Sequence, residues 1–379
     1  MPYPFLGLGF NSWSQKFSRG NVSAAAGAFL EYVTTSMSSF TLRSTGTVDY
    51  EVDWGDGSTE SLTTNAPTHA YSSAGEYTIE ITPAEGSTYR PFFNNAESDT
   101  SIASVSGAGG SQLGTNLTDA WEGATNMTSF SSDVDTSSVT NFNGTWRDCS
   151  GLTSFPLIDT SSGTSFSNTW RGCSGLTSFS LINASSVTNF TSAWFDCSGL
   201  TSFPLINTSS GTNFSFTWKD CSGLTSFPSI NASSVTNLSQ TWRNCSSLAS
   251  FPVLDTSSVT NLTQAWRNCS SLTTFPSLDF SSGTNFSYAW QNCSSLTTYP
   301  ANRFDSTGTV TTFAFAWQNC ALTAQSIENI LVSLDTNGAS NITLGIDGGT
   351  NAAKTTWSTA ANTAYTNLVN KGWTISYNA

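Results

Sequence analysis

The chain carries 8 cysteines, and every one stands three positions after a tryptophan. Cys149, Cys173, Cys197, Cys221, Cys245, Cys269, Cys293 and Cys320 follow Trp146, Trp170, Trp194, Trp218, Trp242, Trp266, Trp290 and Trp317, while an earlier Trp121 is followed by Ala124. Regularly spaced thiols can bridge, ligate a metal or act as nucleophiles. The spacing argues against bridging. If the repeated units stack at strand separation, successive Cβ atoms lie about 5 Å apart with parallel side-chain directions, beyond the roughly 3.5–4.5 Å that a disulfide requires. A single His and the lack of any CxxC pair leave no tetrahedral metal set. The cysteines are therefore expected to form a buried thiol ladder, with Trp as a second ladder beside it.

Two other groups invite a chemical reading. Asp53, Asp56 and His69 could form a metal or acid–base cluster, but Asp in an Asp-Gly turn and a His beside Tyr71 read as structural. Asp53 and Asp56 stay as calcium candidates, because turn oxygens suit a hard cation. The column Asp135, Asp159, Asn183, Asn207, Asn231, Asp255, Asp279 exchanges Asp for Asn freely, which suits turn capping better than proton transfer. No nucleophile, base and orienting group cluster recognisably, so no catalytic residue, enzymatic activity or cofactor is expected.

The elements that must position these residues follow from the period. The tryptophans step by 25, then 24 six times, then 27 residues, the signature of a solenoid whose units bury their apolar faces only against one another. In one unit, from Cys245, Leu248, Phe251 and Leu254 lie on a short extended run, "DTSS" is a turn and "SVTNL" a second extended piece. The "QAWRNCSS" segment has room for two helical turns or a tight bend. The column Asn141, Asn189, Asn213, Asn237, Asn261, Asn285 is expected to bond backbone at a turn. Upstream, Tyr50, Val52 and Trp54 alternate before an Asp-Gly turn, and Tyr77, Ile79 and Ile81 alternate after it, as in half-buried antiparallel strands. The expected organisation is an attachment or oligomerisation segment (1–35), a β-sandwich (36–92), a connector and N-terminal cap (93–120), the solenoid (121–320) and an α/β C-terminal cap (321–379). In that cap, helices are expected at 326–334 and 351–370.

Composition narrows the function. Of 379 residues 37% are hydrophobic and 13% aromatic, enough for a sizeable core, but only 10% are charged, against roughly 25% in ordinary domains. A net charge of −13 disfavours nucleic acid and anionic membrane surfaces. The opening "MPYPFLGLGFNSWSQKF" has no basic leader with an apolar run, and no stretch is long enough to span a bilayer. An adhesin-like Ser/Thr/Asn surface without that leader is expected of a virion component released by lysis.

The segment "CSSLTTFPSLDFSSGTNFSYAWQNC", Cys269 to Cys293, resembles the BspA-like leucine-rich repeats of bacterial surface and phage proteins, with Trp290 in place of the family's Phe; the similarity covers about 117–320. It implies a right-handed parallel β-solenoid of about 24 residues per coil and about eight coils, used in adhesion. "VDYEVDWGDGSTESLTTNAPTHAYSSAGEYTIEIT", Val48 to Thr82, is similar to the PKD-type immunoglobulin-like sandwich, though about 50 residues is short for one and a strand or two is missing.

Structural residues repeat, so contact residues are sought where the repeat varies. Two positions before each Trp stand Gly144, Asn168, Ser192, Phe216, Gln240, Gln264, Tyr288 and Phe315, a candidate contact column. One position after it, Arg147, Arg171, Lys219, Arg243 and Arg267, interrupted by Phe195, form a candidate basic stripe. The expected function is a phage virion protein displaying its solenoid for host-surface or glycan adhesion, joined to other virion proteins through its N-terminal region. Alternatives are a capsid decoration or tail protein acting as a stiff spacer, and a bacterial surface adhesin. A homo-oligomer is expected, as fibre and decoration proteins often are.

Overall fold

The computed structural model describes residues 29–93, 101–108, 113–307 and 310–379. The chain is mainly β. Its first part is a strand array in which β1 (Phe29–Thr34), β3 (Tyr50–Asp53), β4 (Thr59–Leu62), β6 (Thr78–Pro83), β7 (Ile102–Ala108) and β8 (Ser129–Phe130) form one sheet in the order β4-β3-β6-β1-β7-β8. Strands β2 (Met37–Thr41) and β5 (Thr68–Gly75) pair separately. The predicted alternation holds in β3 and β6: Tyr50, Val52, Ile79 and Ile81 are buried, and Glu51 is exposed. The turn after β3 needs glycine at Gly55, which has φ +82° and whose Cβ would lie 2.3 Å from the Thr78 carbonyl.

The boundaries expected for this unit are corrected. Phe29–Thr34, placed in the terminal segment, is a central strand between β6 and β7, and β7 itself falls in the expected connector. Leu30, Tyr32 and Thr34 alternate into the core, but the polar Thr34 and the Gly/Ser-rich flanks of β7 mask the pattern in the sequence. The attachment expected of residues 1–35 otherwise lies outside the described residues.

From residue 113 the backbone runs in coils stacked in register. Parallel bridges join Asn116, Asn141, Ser165, Asn189, Asn213, Asn237, Asn261, Asn285 and Thr312 in sequence. The junction with the sheet is continuous, since β7 pairs parallel with β8 of the first coil. Around each Trp the peptide groups alternate in task. The N–H groups of Gln240, Trp242 and Asn244 donate to Thr263, Ala265 and Arg267 of the next coil at 2.8–2.9 Å, whereas those of Thr241, Arg243 and Cys245 close tight turns within their own coil. This run was expected as helix or bend. It is a chain of turns with two left-handed residues four positions apart, φ 57° at Gln240 and 64° at Asn244. The expected extended run at Leu248–Leu254 carries no regular strand; isolated bonds, such as Ala249 N–H to the Thr225 carbonyl, join it to the coil before.

The C-terminal cap continues the ladder while replacing turns by helices. Helices α1 (Ala324–Asn337) and α2 (Thr359–Asn370) pack together, and β9 (Thr343–Ile346) pairs parallel with β10 (Thr374–Tyr377). Helix α1 extends beyond the expected 326–334, starting from the Thr323 cap and ending at Gly338 with φ 79°. Helix α2 begins later than expected, because Ser358 caps it through the Ala361 N–H and Asn351 is drawn into the core.

Candidate functional site

The Trp and Cys columns occupy the interior. Ladder tryptophans are buried, their rings stacked between neighbouring coils at 4.8–5.9 Å. A column of Phe130, Phe155, Phe179, Phe203, Phe227, Phe251, Phe275 and Tyr299 meets them edge to face, for instance 4.7 Å from Phe251 to Trp242. Burying each indole contributes on the order of 5 kcal/mol of transfer free energy. The buried Nε1 groups of the ladder tryptophans have no hydrogen-bond partner.

Each thiol has a defined job. Cys245 Sγ donates to the Trp218 carbonyl of the preceding coil at 3.1 Å, and the same bond recurs from Cys149 to Trp121, Cys173 to Trp146, Cys197 to Trp170, Cys221 to Trp194, Cys269 to Trp242, Cys293 to Trp266 and Cys320 to Trp290. The pattern explains both ends. Ala124 needs no thiol because no ladder Trp precedes Trp121. At the other end the Trp317 carbonyl accepts from Asn351 Nδ2 at 2.9 Å, so the cap supplies an amide where a further coil would supply a thiol. Burial pushes the thiols up, that of Cys293 to about 12, which suits inert packing rather than nucleophilic chemistry.

The carboxylates and amides suspected of chemistry are turn caps. Asp159, Asn183, Asn231 and Asp255 all accept from the N–H two residues on, and the Asn189, Asn213 and Asn237 column does likewise. Asp53 accepts from the Gly55 N–H, while Asp56 accepts from Ser58 and lies 2.9 Å from His69, whose ring stacks on Trp54 at 4.9 Å. Hydrogen bonds from the Ser58 hydroxyl, then His69, hold the Asp56 carboxyl far below the usual range. Among the described residues no three His, Cys, Asp or Glu side chains gather to hold a metal.

The variable column and the basic stripe share one outer face. Phe216, Gln240, Gln264, Tyr288 and Phe315 all have φ between 56° and 61°. Asn, Asp or Gly suit that conformation, and bulky side chains carry a strain on the order of 1 kcal/mol each. Where the column meets the stripe in the first half, Arg171, Ser192, Phe195, Phe216 and Lys219 line a shallow depression of about 260 Å³. Phe195 lies between two cations, 4.9 Å from Arg171 and 4.2 Å from Lys219. The stripe is not uniformly basic. Arg147 pairs with Glu122, and Lys219 with Asp220 at 2.8 Å. Arg243 and Arg267 bond the amides of Gln240 and Gln264 instead, at 2.8 and 3.3 Å.

Sequence reasoning missed two columns. Asn244, Asn268, Asn292 and Asn319 form an amide ladder, each donating to the residue one coil before it, with Asn244 ending on Asp220. Their shared position two after Trp is the signal that would have found them. Leu157, Leu181, Leu205 and Val253 form an exposed apolar ridge, each about 60% exposed, that the repeat also makes visible.

Comparison with protein-family models, with curated proteins and with solved structures yields no match to this chain.

Proposed function

We propose that the coils form a right-handed leucine-rich-repeat-type β-solenoid, carried by a PKD-like sandwich, and that the protein is a virion component contacting a host surface or glycan through its variable face. The observation that carries this reading is the left-handed column. A fold that repeats Trp, Cys and Phe coil after coil places Phe216, Gln240, Gln264, Tyr288 and Phe315 where smaller residues would relax the backbone. Side chains retained against local strain on a solvent face are best accounted for by what they touch. The Tyr288 and Phe315 rings stack at 5.0 Å, with Phe315 39% exposed, which makes an aromatic platform suited to a sugar face.

The in-register ladder also favours a second reading, a stiff spacer in a capsid or tail. Immunogold labelling of purified particles, paired with binding of the isolated protein to host cells, separates the two. Label on the particle together with cell binding is expected; label without cell binding would leave the spacer role, and label on the bacterial envelope alone would indicate a surface adhesin. No described helix is long and apolar enough to cross a membrane.

A further inference from the structure

The two halves of the stack differ in the residue that follows each stripe cation, and in the second half two cations without an ion pair stand in adjacent coils. In the first half the residue two after Trp is Asp148, Gly172, Asp196 or Asp220; Arg147 pairs with Glu122 and Lys219 with Asp220, while Arg171 lies over the Phe195 ring. In the second half that position is Asn244, Asn268 and Asn292. The amides there bond one another, and the ladder's first member donates to Asp220, which also pairs with Lys219.

Arg243 and Arg267 therefore sit in adjacent coils, about 5 Å apart along the stack, with no carboxylate in ion-pair contact among the described residues. The Nε of each is buried and without a hydrogen-bond partner. Burial and then the neighbouring Arg243 lower the Arg267 pKa, as two uncompensated like charges should. Around the pair, Gln240 and Gln264 each hold one Nη1, and the Tyr288 ring lies 5.5 Å from the Arg267 guanidinium.

We propose that Arg243 and Arg267, flanked by Gln240, Gln264 and the Tyr288–Phe315 ring pair, form a subsite for an oxyanion borne on a saccharide, either a uronate carboxylate or a sulfate ester. The identity of the ligand rests on the adhesive reading above. With Nε buried and Nη1 held by a glutamine, each guanidinium keeps its Nη2 to donate, so the two arginines together can meet the two oxygens of such a group, and the rings offer a platform for the sugar's C–H face. The chain's net charge of −13 opposes polyanions at long range, but at about 0.15 M salt that field is screened beyond roughly 8 Å and the local pair decides.

The test measures binding of the full chain to polygalacturonate oligosaccharides, dextran sulfate and neutral dextran by titration calorimetry. Binding to one or both anionic probes and not to dextran is expected, and the probe preferred identifies carboxylate or sulfate. The Arg243→Gln/Arg267→Gln variant should weaken binding at least about tenfold. So should Gln240→Glu/Gln264→Glu, which leaves both cations in place and supplies each with an internal carboxylate. Arg303→Gln should stay within about twofold, since Arg303 bonds the Ala301 carbonyl and belongs to neither the column nor the stripe. Equal binding to dextran, absence of binding to both anionic probes, or retention of binding in both double variants would overturn the proposal. If host-cell binding persists in variants that have lost the saccharide, the subsite is not the adhesive contact although adhesion stands. If the saccharide binds but cells do not, adhesion fails alone.

Discussion

At the scale of single residues, the fixed Trp and Cys are explained by one bond. A thiol fills a buried position as a small hydrophobe and still donates to a carbonyl that would otherwise keep only its tight-turn partner. The sequence showed the column and its burial through the period, but not the acceptor, which lies one coil away and depends on stacking offset. A titration consequence follows. The neutral thiol is favoured in the folded chain, so its stabilising contribution is complete below the unfolded thiol pKa of about 8.5 and is lost as pH rises toward the folded value, about 12 for Cys293. Urea midpoints are expected to fall steadily from pH 8.5 upward, and Cys245→Ala/Cys293→Ala should shallow that slope; a slope unchanged by the double substitution would contradict the assignment. The left-handed column was not legible at all. Its residues were singled out because they vary, whereas Phe and Gln give no hint of positive φ.

At the scale of elements, the coils were readable and their conformation was not. Periodicity identifies what stacks on what, but "QAWRNCSS" fits a helix or a turn chain equally, and only the inter-coil bonds from alternating N–H groups select the turns. Strand β1 was misplaced because its buried face, Leu30, Tyr32 and Thr34, spans only three positions and includes a polar residue. The cap shows how an open ladder ends. Asn351, buried at 4% exposure, donates to the Trp317 and Ile346 carbonyls and accepts from the Leu322 N–H, so it closes three backbone groups at once. Asn351→Ala should cost about 3 kcal/mol, from orphaned groups at about 1–3 kcal/mol apiece. Hydrogen exchange is the informative readout. Faster exchange at Leu322 and in β9, with the coils around Trp146–Trp194 unaffected, is expected; uniform loosening would mean that the cap's role is global rather than terminal.

At the scale of the whole molecule, the stack presents distinct exposed columns along its length: a strained polar and aromatic face at Phe216, Tyr288 and Phe315, and a relaxed apolar ridge at Leu157, Leu181 and Leu205. Either could meet a partner, and strain distinguishes them, because the ridge leucines lie outside the left-handed positions. Composition sets only broad limits: few charges and a net charge of −13 disfavour contact with nucleic acid. Which face acts was beyond it, because both faces repeat with the same period. The deciding measurement compares host-cell binding of the Phe216→Ala/Tyr288→Ala/Phe315→Ala protein with that of Leu157→Ser/Leu181→Ser/Leu205→Ser, each checked for an unchanged melting profile. Loss of binding of about tenfold or more in the first and not in the second is expected if the strained face makes the contact. Full binding by the first variant, with loss confined to the second, would contradict it.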